Sequence, residues 1–486
     1  MLRETHSAIV ALVGTRAYKV KKPVRLPFLD FSTVEARRRV VEREVALNRR
    51  LAPDVYLGVG TWRAPDALPD AEPEPVVVMR RMPDDRRLTT LVTERLESGD
   101  PADLAESIRA IARTVAAFHG RADRSPEIDT AGHPECIATK FLTDVGQAHD
   151  VAAGALDHAV IDEVDGLGRA YLAVRVPLLD ARVRAGLIRD GHGDLLADDI
   201  FCLDDGPRIL DCIEFDDRLR WGDVLADLAF LVMDLERLGA PALGEQLLAD
   251  YGEFSGEHHP PSLARFYVAS RALIRAKVTA VRVHQGDRSA APLAARLLDL
   301  AADNLRRGRV TCTLVGGLPG TGKSTVAHAL APVLDAVVVS ADEVRKELAG
   351  LPHSARAASA YGTGIYDASH TDATYAELVR RAHALLEQGT SVVLDASWSR
   401  REHRDAALHI ATVTASELHM LRCVAPAEVA SGRIAQRARS GTSTSDATAD
   451  VARAMAATAD PWPAAHELDT DAAPFVVSAA ARRAVA

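Results

Sequence analysis

The feature that most constrains this 486-residue chain is a glycine-rich segment, residues 317–324, between an apolar stretch and a helix-forming stretch. Its sequence, Gly-Leu-Pro-Gly-Thr-Gly-Lys-Ser, fits the pattern G-x-x-x-x-G-K-[ST]. Glycines let backbone N–H groups turn inward around phosphate, and the N-terminus of a following helix adds a favourable dipole. We therefore expect a phosphate-binding loop between a strand at 310–315 and a helix at 324–334. Its nucleotide-contacting residues would be Gly317, Leu318, Pro319, Gly320, Thr321, Gly322, Lys323, Ser324 and Thr325.

Charged residues around this loop have the types that handling phosphate requires. Lys323 is expected to reach the β- and γ-phosphates and Ser324 to bind Mg²⁺. Asp395 ends a second apolar strand, where a carboxylate can hold the water shell of the metal. Asp342 and Arg345 follow a third strand and combine a carboxylate that can accept a hydroxyl proton with a guanidinium that can hold a substrate.

Composition limits the classes of partner. The net charge of −10 argues against a general nucleic-acid binder, which needs a basic surface. Because no run of about 18 apolar residues occurs and the first residues lack a signal-peptide pattern, we expect a cytoplasmic protein without a membrane segment. Five scattered cysteines form no CxxC pair, which argues against a disulfide framework and a zinc ribbon.

Lysine is scarce in this chain, with seven lysines against 51 arginines. A compact ammonium and a planar guanidinium are not interchangeable against phosphate, so a lysine marks a position where arginine would not serve. Lys323 lies in the glycine-rich loop, and Lys19, Lys21 and Lys22 cluster near the start of the chain. The lysines therefore indicate two separate regions of interest. The remaining three, Lys140, Lys277 and Lys346, are isolated in the sequence.

The order of predicted elements divides the chain into two domains. Up to about residue 300, a small strand-rich region precedes a long helical region, which predicts an α+β two-lobed body. From residue 310, apolar strands alternate with helices, which predicts an α/β domain with a parallel sheet. We therefore predict a multidomain chain, with one domain at residues 1–300 and a P-loop domain at residues 308–486.

The C-terminal domain resembles the small P-loop kinases of the gluconate kinase, polynucleotide kinase and zeta-toxin group. The resemblance covers about residues 310–480 and is carried by residues 317–324, Asp342-x-x-Arg345 and Val393-Leu394-Asp395-Ala396-Ser397. It implies transfer of a phosphoryl group from ATP to a hydroxyl, with Asp342 as the base. It also implies that substrate or nucleotide is contacted by Arg404 and by a set of lid arginines, Arg433, Arg437 and Arg439.

A second set of residues in the N-terminal domain combines a lysine, a glutamate and three aspartates. Phosphoryl transfer needs one fixed carboxylate to accept a hydroxyl proton and further acidic groups to hold Mg²⁺. In chain order the set consists of Lys19 or Lys21, Glu44, a linking segment at 79–83, His192-Gly193-Asp194, Asp199 and Asp211.

This order resembles the aminoglycoside phosphotransferase and choline kinase-like family, a branch of the protein-kinase-like fold. The resemblance covers roughly residues 4–300 and is carried by His192-Gly193-Asp194-Leu195, Gly222-Asp223, Asp227-Leu228-Ala229 and Phe118-His119. It implies that Asp194 is the catalytic base and that Asp199 and Asp211 bind Mg²⁺. It further implies that Lys21 pairs with Glu44 and contacts the α- and β-phosphates of ATP.

The sequence departs from that family pattern and leaves two assignments open. Position 199 is Asp where the family has Asn, which adds a negative charge near the metal. Lys19 and Lys21 lie on one strand face by alternation, so either can be the phosphate lysine. The local Leu-Asp pattern favours Asp211 as the second metal ligand, whereas the distance to Gly222 favours Glu214.

The whole chain resembles bacterial bifunctional proteins that fuse these two modules, and three functions follow as hypotheses. The first is a cytosolic enzyme whose two modules each transfer the γ-phosphoryl group of ATP to a small-molecule hydroxyl. In the second, one module only senses nucleotide; the N-terminal module is the candidate, because its phosphate-covering hairpin is expected to be reduced to residues 4–7. The third is nucleic-acid end processing by the P-loop domain, which the acidic net charge argues against. The sequence does not identify the acceptor or the oligomeric state.

Overall fold

The computed structural model describes residues 2–4, 8–26, 29–63, 72–99, 104–353, 363–440 and 447–485. The chain divides into two compact units. The first consists of Met1–Gly166, Leu179–His259 and Ala264–Leu305, and the second of Leu167–Leu178, Pro260–Leu263 and Arg306–Ala486. None of the helices within the described ranges combines the length and apolar character needed to cross a membrane.

The first unit opens with a five-stranded antiparallel sheet. Strands of this unit are β1 (Leu2–Glu4), β2 (Ala8–Val13), β3 (Arg16–Lys21), β4 (Arg25–Leu26), β5 (Leu29–Asp30), β6 (Tyr56–Trp62), β7 (Glu74–Arg80), β8 (Ile188–Asp190), β9 (Ile200–Leu203), β10 (Gly206–Ile209) and β11 (Trp221–Asp223). The sheet order is β1-β2-β3-β7-β6, and short antiparallel pairs join β4 to β5, β9 to β10 and β8 to β11. The tip that joins β1 to β2, where the reduced hairpin is expected, falls on residues 5–7, outside the described residues.

Helices make up most of the remainder of the chain before residue 308. They are α1 (Val34–Asn48), α2 (Leu88–Ser98), α3 (Ala105–Arg121), α4 (Pro126–Asp129), α5 (Pro134–Asp150), α6 (His158–Val174), α7 (Val176–Arg184), α8 (Val224–Leu238), α9 (Pro241–Ser255), α10 (Pro261–His284) and α11 (Ala291–Arg307). Thr33 caps α1 by accepting a hydrogen bond from the Ala36 N–H. Val41 and Val45 of α1 pack into one core with Val77 of β7. This sheet with α1 against it, followed by a helical lobe, confirms the predicted protein-kinase-like fold.

The second unit is built on a parallel sheet. Its strands are β12 (Thr311–Gly316), β13 (Ala336–Ser340), β14 (Ser391–Asp395), β15 (Glu417–Val424) and β16 (His466–Asp469), in the order β13-β14-β12-β15-β16. Its helices include α12 (Lys323–Leu330), α13 (Ala341–Leu348), α14 (Ala368–Glu387), α15 (Arg401–Val413), α16 (Ala427–Ser440), α17 (Ala449–Thr458) and α18 (Pro474–Ala484).

The centre of this sheet explains where its chemistry collects. Val315 of β12 and Val393 of β14 pack with Val326 of α12 and Val477 of α18 in one core. Because all strands are parallel, their carboxyl ends meet at one edge, which is where ligands bind in such sheets. The glycine-rich loop, Asp342 and Asp395 all follow strands at this edge. The predicted α/β P-loop fold is therefore confirmed.

Candidate active sites

Backbone geometry imposes glycine on the phosphate-binding loop of the second unit. Gly317 and Gly320 have φ angles of +132° and +85°, which L side chains rarely adopt. A Cβ at Gly317 would lie 2.4 Å from the carbonyl oxygen of Cys423 in β15, and one at Gly320 would lie 2.5 Å from that of Ala430 in α16. Both contacts are with backbone, which cannot turn aside, so the loop keeps this shape only with glycine at both positions.

Two threonines and the lysine hold the loop from inside. The Lys323 Nζ donates to the carbonyl oxygen of Leu318 at 3.2 Å, and the Thr321 hydroxyl donates to the same oxygen at 2.8 Å. The hydroxyl of buried Thr470 lies 2.7 Å from the Thr321 carbonyl oxygen and 2.9 Å from that of Val424. Hydrogen bonds thus join the loop to the ends of β15 and β16, and the Lys323 ammonium group folds back onto a carbonyl oxygen of the loop.

Ser324 and Asp395 form the oxygen-donor pair that the sequence predicts. Asp395 ends β14 and is buried, and it is hydrogen-bonded to the Ser324 side chain. Burial raises the pKa of Asp395, whereas the neighbouring Lys323 ammonium opposes that rise. A hydroxyl and a carboxylate oxygen are hard ligands of the kind Mg²⁺ prefers, so these two residues fit the metal.

A cavity of about 410 Å³ joins the loop to the predicted acceptor residues. The sequence-predicted residues that line it are Pro319, Gly320, Gly322, Lys323, Ser324, Thr325, Asp342, Arg345, Asp395, Arg433 and Arg437. Gly317, Leu318 and Thr321 belong to the same loop but are not part of the lining. The cavity therefore brings together carboxylates, a lysine ammonium, arginines and the phosphate-binding loop.

Arg345 is held against one wall of this cavity. Its Nη1 donates to the Ile365 carbonyl oxygen at 2.9 Å and to the Thr371 hydroxyl at 3.2 Å, and its guanidinium lies over the Tyr366 ring, 4.9 Å from the centroid. Among the described residues, the buried Nε of Arg345 finds no hydrogen-bond acceptor. A buried donor without an acceptor is costly, so the position of Arg345 is maintained by its other contacts.

Two arginines that the resemblance assigns to substrate or nucleotide, Arg404 and Arg439, do not line the cavity. Arg439 is exposed on α16, where its Nε donates to the Ala435 carbonyl oxygen at 3.3 Å. Arg404 has a different environment. It is buried in α15, where its guanidinium donates to the carbonyl oxygens of Trp398 at 2.7 Å and Pro461 at 2.9 Å and lies over the Trp462 ring. Burial lowers its pKa. These contacts join the segment after β14 to the segment before β16.

In the first unit, the predicted lysine–glutamate pair is part of a larger charge cluster. The Lys19 Nζ lies 2.9 Å from one Glu44 oxygen, and the Lys21 Nζ lies 2.7 Å from the other. Lys19 also contacts Asp211, and Lys21 contacts Glu214 at 2.6 Å. The four residues that the sequence left open therefore belong to one cluster. Lys19 pairs with Asp211, Lys21 pairs with Glu214, and both lysines share Glu44.

The two lysines differ in their access to solvent. The side chain of Lys21 is 2% exposed and that of Lys19 is 12% exposed. Burial opposes ionisation of Asp211, but Lys19 and Lys21 outweigh it and lower the pKa of Asp211 to about 2. Asp211, with φ near +64°, has a half-exposed side chain, whereas that of Glu214 is buried. Lys19 and Asp211 are thus the members of the cluster that face outward.

Two further aspartates, Asp194 and Asp199, interact electrostatically with Asp211 of this cluster. Burial raises the pKa of Asp194 to about 6, while Arg275 acts in the opposite direction. The pKa of Asp199 is raised well above its usual range by burial and, in addition, by like-charge repulsion from Asp211 and Asp194. Within the described residues, no cationic side chain lies within ion-pair distance of Asp199. A divalent cation would neutralise this excess of negative charge, so Asp199 and Asp211 fit the predicted Mg²⁺.

The segment that carries Asp194 is fixed by a buried carboxylate whose role the sequence did not reveal. Asp227 of α8 accepts hydrogen bonds from the His192 and Gly193 N–H groups, both at 2.8 Å. Its Oδ2 lies 3.0 Å from the His119 ring, which in turn lies 2.9 Å from the Tyr251 hydroxyl. These bonds outweigh burial and lower the pKa of Asp227. The sequence identifies Phe118-His119 and Asp227-Leu228-Ala229 only as two separate motifs. In the structure, the hydrogen bond between His119 and Asp227 connects them.

Neither site contains a complete metal cage. In the ranges that the structure describes, no three His, Cys, Asp or Glu side chains are arranged to hold a metal ion by themselves. Mg²⁺ is commonly bound through one or two carboxylates together with the phosphates of a nucleotide. A metal at either site would therefore need oxygens from a bound nucleotide.

The folds and sites define the class: one chain that joins a protein-kinase-like unit to a P-loop unit. Residues 312–462 match the family model of an AAA domain. Over 469 residues the chain is 42% identical to the uncharacterized protein Rv2004c of Mycobacterium tuberculosis, with 96% of this chain and 92% of that protein covered. The chain belongs to the family of this mycobacterial protein.

Two solved structures are similar to separate parts of the chain. Choline kinase LicA from Streptococcus pneumoniae is 13% identical, with 62% of this chain and 90% of that chain covered and a TM-score of 0.37. A sugar kinase from Janibacter sp. HTCC2649 is 20% identical, with 36% of this chain and 94% of that chain covered and a TM-score of 0.27.

Proposed function

We propose that this protein is an ATP-dependent phosphotransferase in which each unit transfers the γ-phosphoryl group to a hydroxyl of a small molecule. The observation that carries the proposal is the 410 Å³ cavity of the second unit. It is lined by a phosphate-binding loop and its lysine together with the carboxylate of Asp342 and the guanidinium of Arg345. Phosphoryl transfer needs positioning and charge neutralisation more than covalent chemistry, and this set of groups supplies both.

In the second unit, each residue has a distinct role. The N–H groups of the loop bind the phosphates, and Lys323 leaves its carbonyl contact to meet the β- and γ-oxygens. Ser324 and Asp395 would hold Mg²⁺, which neutralises phosphate charge when it is bound. Asp342 accepts the proton of the acceptor hydroxyl, and Arg345, which lines the same cavity, binds the acceptor through its guanidinium.

In the first unit, Asp194 is the base that accepts the hydroxyl proton. Asp199 and Asp211 would hold the metal of the nucleotide. Lys19, the more exposed of the paired lysines, contacts the phosphates, while Lys21 keeps Glu44 and Glu214 neutralised behind it. Of the two lysines that the sequence leaves open, this proposal gives the phosphate contact to Lys19 rather than to Lys21, which the resemblance implies.

Separate inactivation of the two units tests the proposal. Purified full-length protein is assayed for ATP consumption against a panel of hydroxyl metabolites, using Asp194→Asn, Lys323→Ala and the double variant. A general base contributes about 10²–10⁴-fold to rate, so Asp194→Asn should lose that much of the first unit's activity and retain the second unit's. Lys323→Ala removes a charge that contacts the transferred phosphoryl group, so it should lose the second unit's activity and retain the first unit's. Phosphorylation that survives in the double variant at the wild-type rate would exclude both sites as its source.

A second function is favoured by one feature of the first unit. Its lysines are already engaged by three carboxylates, and Asp199 stands where the related family has Asn. The first unit would then bind Mg-ATP as a regulatory ligand while only the second unit is catalytic. Calorimetric titration of the Lys323→Ala protein with Mg-ATP distinguishes the two: tight binding without turnover of any acceptor favours regulation.

A further inference from the structure

A second, smaller cavity lies in the first unit, away from the lysine–glutamate cluster. Its volume is about 60 Å³, which is several times the 10–15 Å³ or so that one water molecule requires but too small for a whole sugar ring. Most of its lining comes from α5, β11 and α10, and Ala226 of α8 and Ala131 complete it. Among its lining residues, the charged ones are Lys140, Asp144, Asp223 and Arg271. The space fits one charged substituent of a larger molecule.

The two acidic residues of this lining are already neutralised by cations behind them. The Lys277 Nζ lies 2.6 Å from Asp144, and the Arg182 Nη2 lies 2.7 Å from Asp223. Asp223 also accepts a hydrogen bond from the Tyr267 hydroxyl at 3.3 Å. Their negative charge is therefore cancelled within the protein.

The two basic residues of the lining have no such partners. Within the described residues, no carboxylate lies within ion-pair distance of Lys140 or Arg271. Arg271 donates through Nε to the Ala226 carbonyl oxygen at 2.9 Å, and its guanidinium lies over the Phe230 ring at 4.3 Å. Lys140 is an exposed residue. Partial desolvation and the charges of Arg271 and Lys277 nevertheless lower its pKa to about 8, and Asp144 opposes that shift. The cavity is thus a site of excess positive charge.

Helix α10 connects this positive charge to the predicted catalytic base. Arg275 follows Arg271 by one turn, so the two side chains share a face of the helix. The Arg275 Nη1 lies 3.8 Å from Asp194 Oδ2, and Arg271 also contributes to the electrostatic field at Asp194. Trp221 of the lining pairs with Asp190 in the strand that leads into the Asp194 segment. Arg275, beside Asp194, and Arg271, in the lining, are therefore two successive cations between the predicted base and the cavity.

We propose that Lys140, Arg271 and Arg275 form a subsite for the negatively charged group of an anionic acceptor whose hydroxyl lies at Asp194. This inference rests on the proposed function of the first unit and names the class of its substrate: a small hydroxyl compound that carries a carboxylate or a phosphate. Arg and Lys bind both groups through charge-assisted hydrogen bonds. A cationic acceptor would instead place a third positive charge beside Lys140 and Arg271.

Acceptors of equal size and different charge test this class. Full-length Lys323→Ala protein, whose second unit is silenced, is assayed for Asp194-dependent ATP consumption with D-gluconate, D-glucose and D-glucosamine. A second series uses D-glycerate, glycerol 3-phosphate, glycerol and 2-amino-1,3-propanediol, and separates carboxylate from phosphate. We expect kcat/KM for the anionic members to exceed that of their neutral and cationic counterparts by about tenfold or more, the size of one charge-assisted hydrogen bond.

Variants assign the preference to the subsite. Lys140→Gln and Arg271→Gln should each raise KM about tenfold for the preferred anionic acceptor, with little effect on its neutral counterpart. Because Arg271 also holds the Ala226 carbonyl, Lys140→Gln provides the measurement free of that structural role. The matched control is Arg282→Gln, also on α10, whose guanidinium pairs with Asp287 at the surface at 2.6 Å; it should leave both KM values unchanged.

The outcomes separate failure of this inference from failure of the proposed function. Asp194-dependent turnover that prefers neutral or cationic members, or an anionic preference that Lys140→Gln does not reduce, overturns the anionic subsite alone. ATP consumption with no dependence on Asp194 for any acceptor overturns catalysis by the first unit, and the subsite with it. A preference that Lys140→Glu shifts towards 2-amino-1,3-propanediol supports the inference.

Discussion

The proposed nucleotide sites of the two units are built by opposite means. In the second unit, the site is mainly a backbone shape that depends on glycine at positions 317 and 320, and one lysine supplies charge. In the first unit, the corresponding place holds two lysines and three carboxylates from β3, α1 and the segment after β10, each satisfied by another. The first kind of site is sensitive to a change of shape, and the second to a change of charge.

This difference predicts how each site fails. A side chain added to the glycine-rich loop blocks ligand without leaving any group unpaired, so folding is affected less than binding. A lysine removed from the charge cluster leaves a buried carboxylate uncompensated, so the free energy of unfolding falls as well. Stability and nucleotide affinity are therefore separable in the second unit and coupled in the first.

The largest expected effect is loss of stability in Lys21→Met. Removing one member of a buried ion pair costs about 3–5 kcal/mol, because the partner charge stays buried. Lys19→Met removes the more exposed lysine, so we expect a smaller loss of stability and about 10-fold weaker binding of Mg-ATP to the first unit. Denaturant unfolding and calorimetry on the Lys323→Ala protein measure the two quantities.

Lys22→Met is the matched control for this pair. Lys22 is the next lysine along the chain and pairs with the exposed Glu4 at 2.6 Å, a surface contact expected to contribute no more than about 1 kcal/mol. If Lys21→Met were as stable as Lys22→Met and yet lost ATP binding, Lys21 and not Lys19 would be the phosphate lysine. The comparison between shape and charge would then fail for the first unit.

The next effect is loss of nucleotide binding in Gly320→Ala. The added Cβ would meet the Ala430 carbonyl oxygen at 2.5 Å in a backbone conformation with φ of +85°, so the loop has to open. We expect affinity of the second unit for Mg-ATP to fall about 100-fold, equivalent to about 2.7 kcal/mol. Calorimetry on an Asp194→Asn background isolates this site.

Gly350→Ala separates steric collision from backbone strain. Gly350 also has a positive φ, +66°, but a Cβ there would meet nothing within 4 Å. This variant should lose stability similar to that lost from strain at Gly320 and retain wild-type affinity for ATP. Equal loss of affinity in both variants would mean that the collision with Ala430 is not what shapes the loop.

The same difference explains what the sequence revealed. The glycine-rich loop and its strand and helix are contiguous, so one motif predicted their fold and position. The cluster around Glu44 also includes Asp211 and Glu214, which lie more than 160 residues further along the chain. Strand alternation places Lys19 and Lys21 on one face, so the sequence left open which lysine pairs with which carboxylate. Arg404 matched a family position, yet its acceptors are backbone carbonyls, which leave no mark in a sequence.

Two further features could not be predicted from the sequence and are visible only in the three-dimensional structure. Residues 167–178 and 260–263 group with the second unit, which no single cut in the sequence represents. The excess positive charge at the small cavity was partly signalled by Lys140, one of seven lysines in the chain. Its relation to Arg271 arises only because α5 and α10 pack together. Element boundaries follow local periodicity, whereas these features depend on tertiary contacts.

A third prediction uses pH to sharpen the charge-based site. Burial raises the pKa of Asp194 to about 6, and only the ionised carboxylate accepts a proton. Activity of the first unit should therefore rise about tenfold per pH unit below pH 6 and level off above about pH 7. The measurement is kcat/KM against pH in Lys323→Ala protein with saturating Mg-ATP.

Arg275→Gln checks that this midpoint belongs to Asp194. Arg275 stabilises the ionised form, so its removal should raise the pKa of Asp194 and move the midpoint to higher pH. Arg282→Gln, which changes the same charge at the surface of α10, should leave the midpoint in place. A profile that neither variant shifts would assign the titration to a different group.

The smallest predicted effect concerns the tie between the glycine-rich loop and β16. In Thr470→Val the buried hydroxyl is lost; its single proton is shared between the carbonyl oxygens of Thr321 at 2.7 Å and Val424 at 2.9 Å, and the Val424 oxygen keeps the N–H of residue 470 as a donor. One such hydrogen bond contributes about 1 kcal/mol, so unfolding of the second unit should shift by about that amount. Thr412→Val, whose exposed hydroxyl bonds within α15, is the control, and its unfolding should shift less.

The same Thr470→Val variant should have only a small effect on ligand binding. Because the shape of the loop is fixed chiefly by its glycines, affinity for Mg-ATP should fall only a few-fold. A loss as large as that of Gly320→Ala would show that the side-chain tie, and not the glycine backbone, maintains the site, and the two units would then depend on side-chain pairing alike.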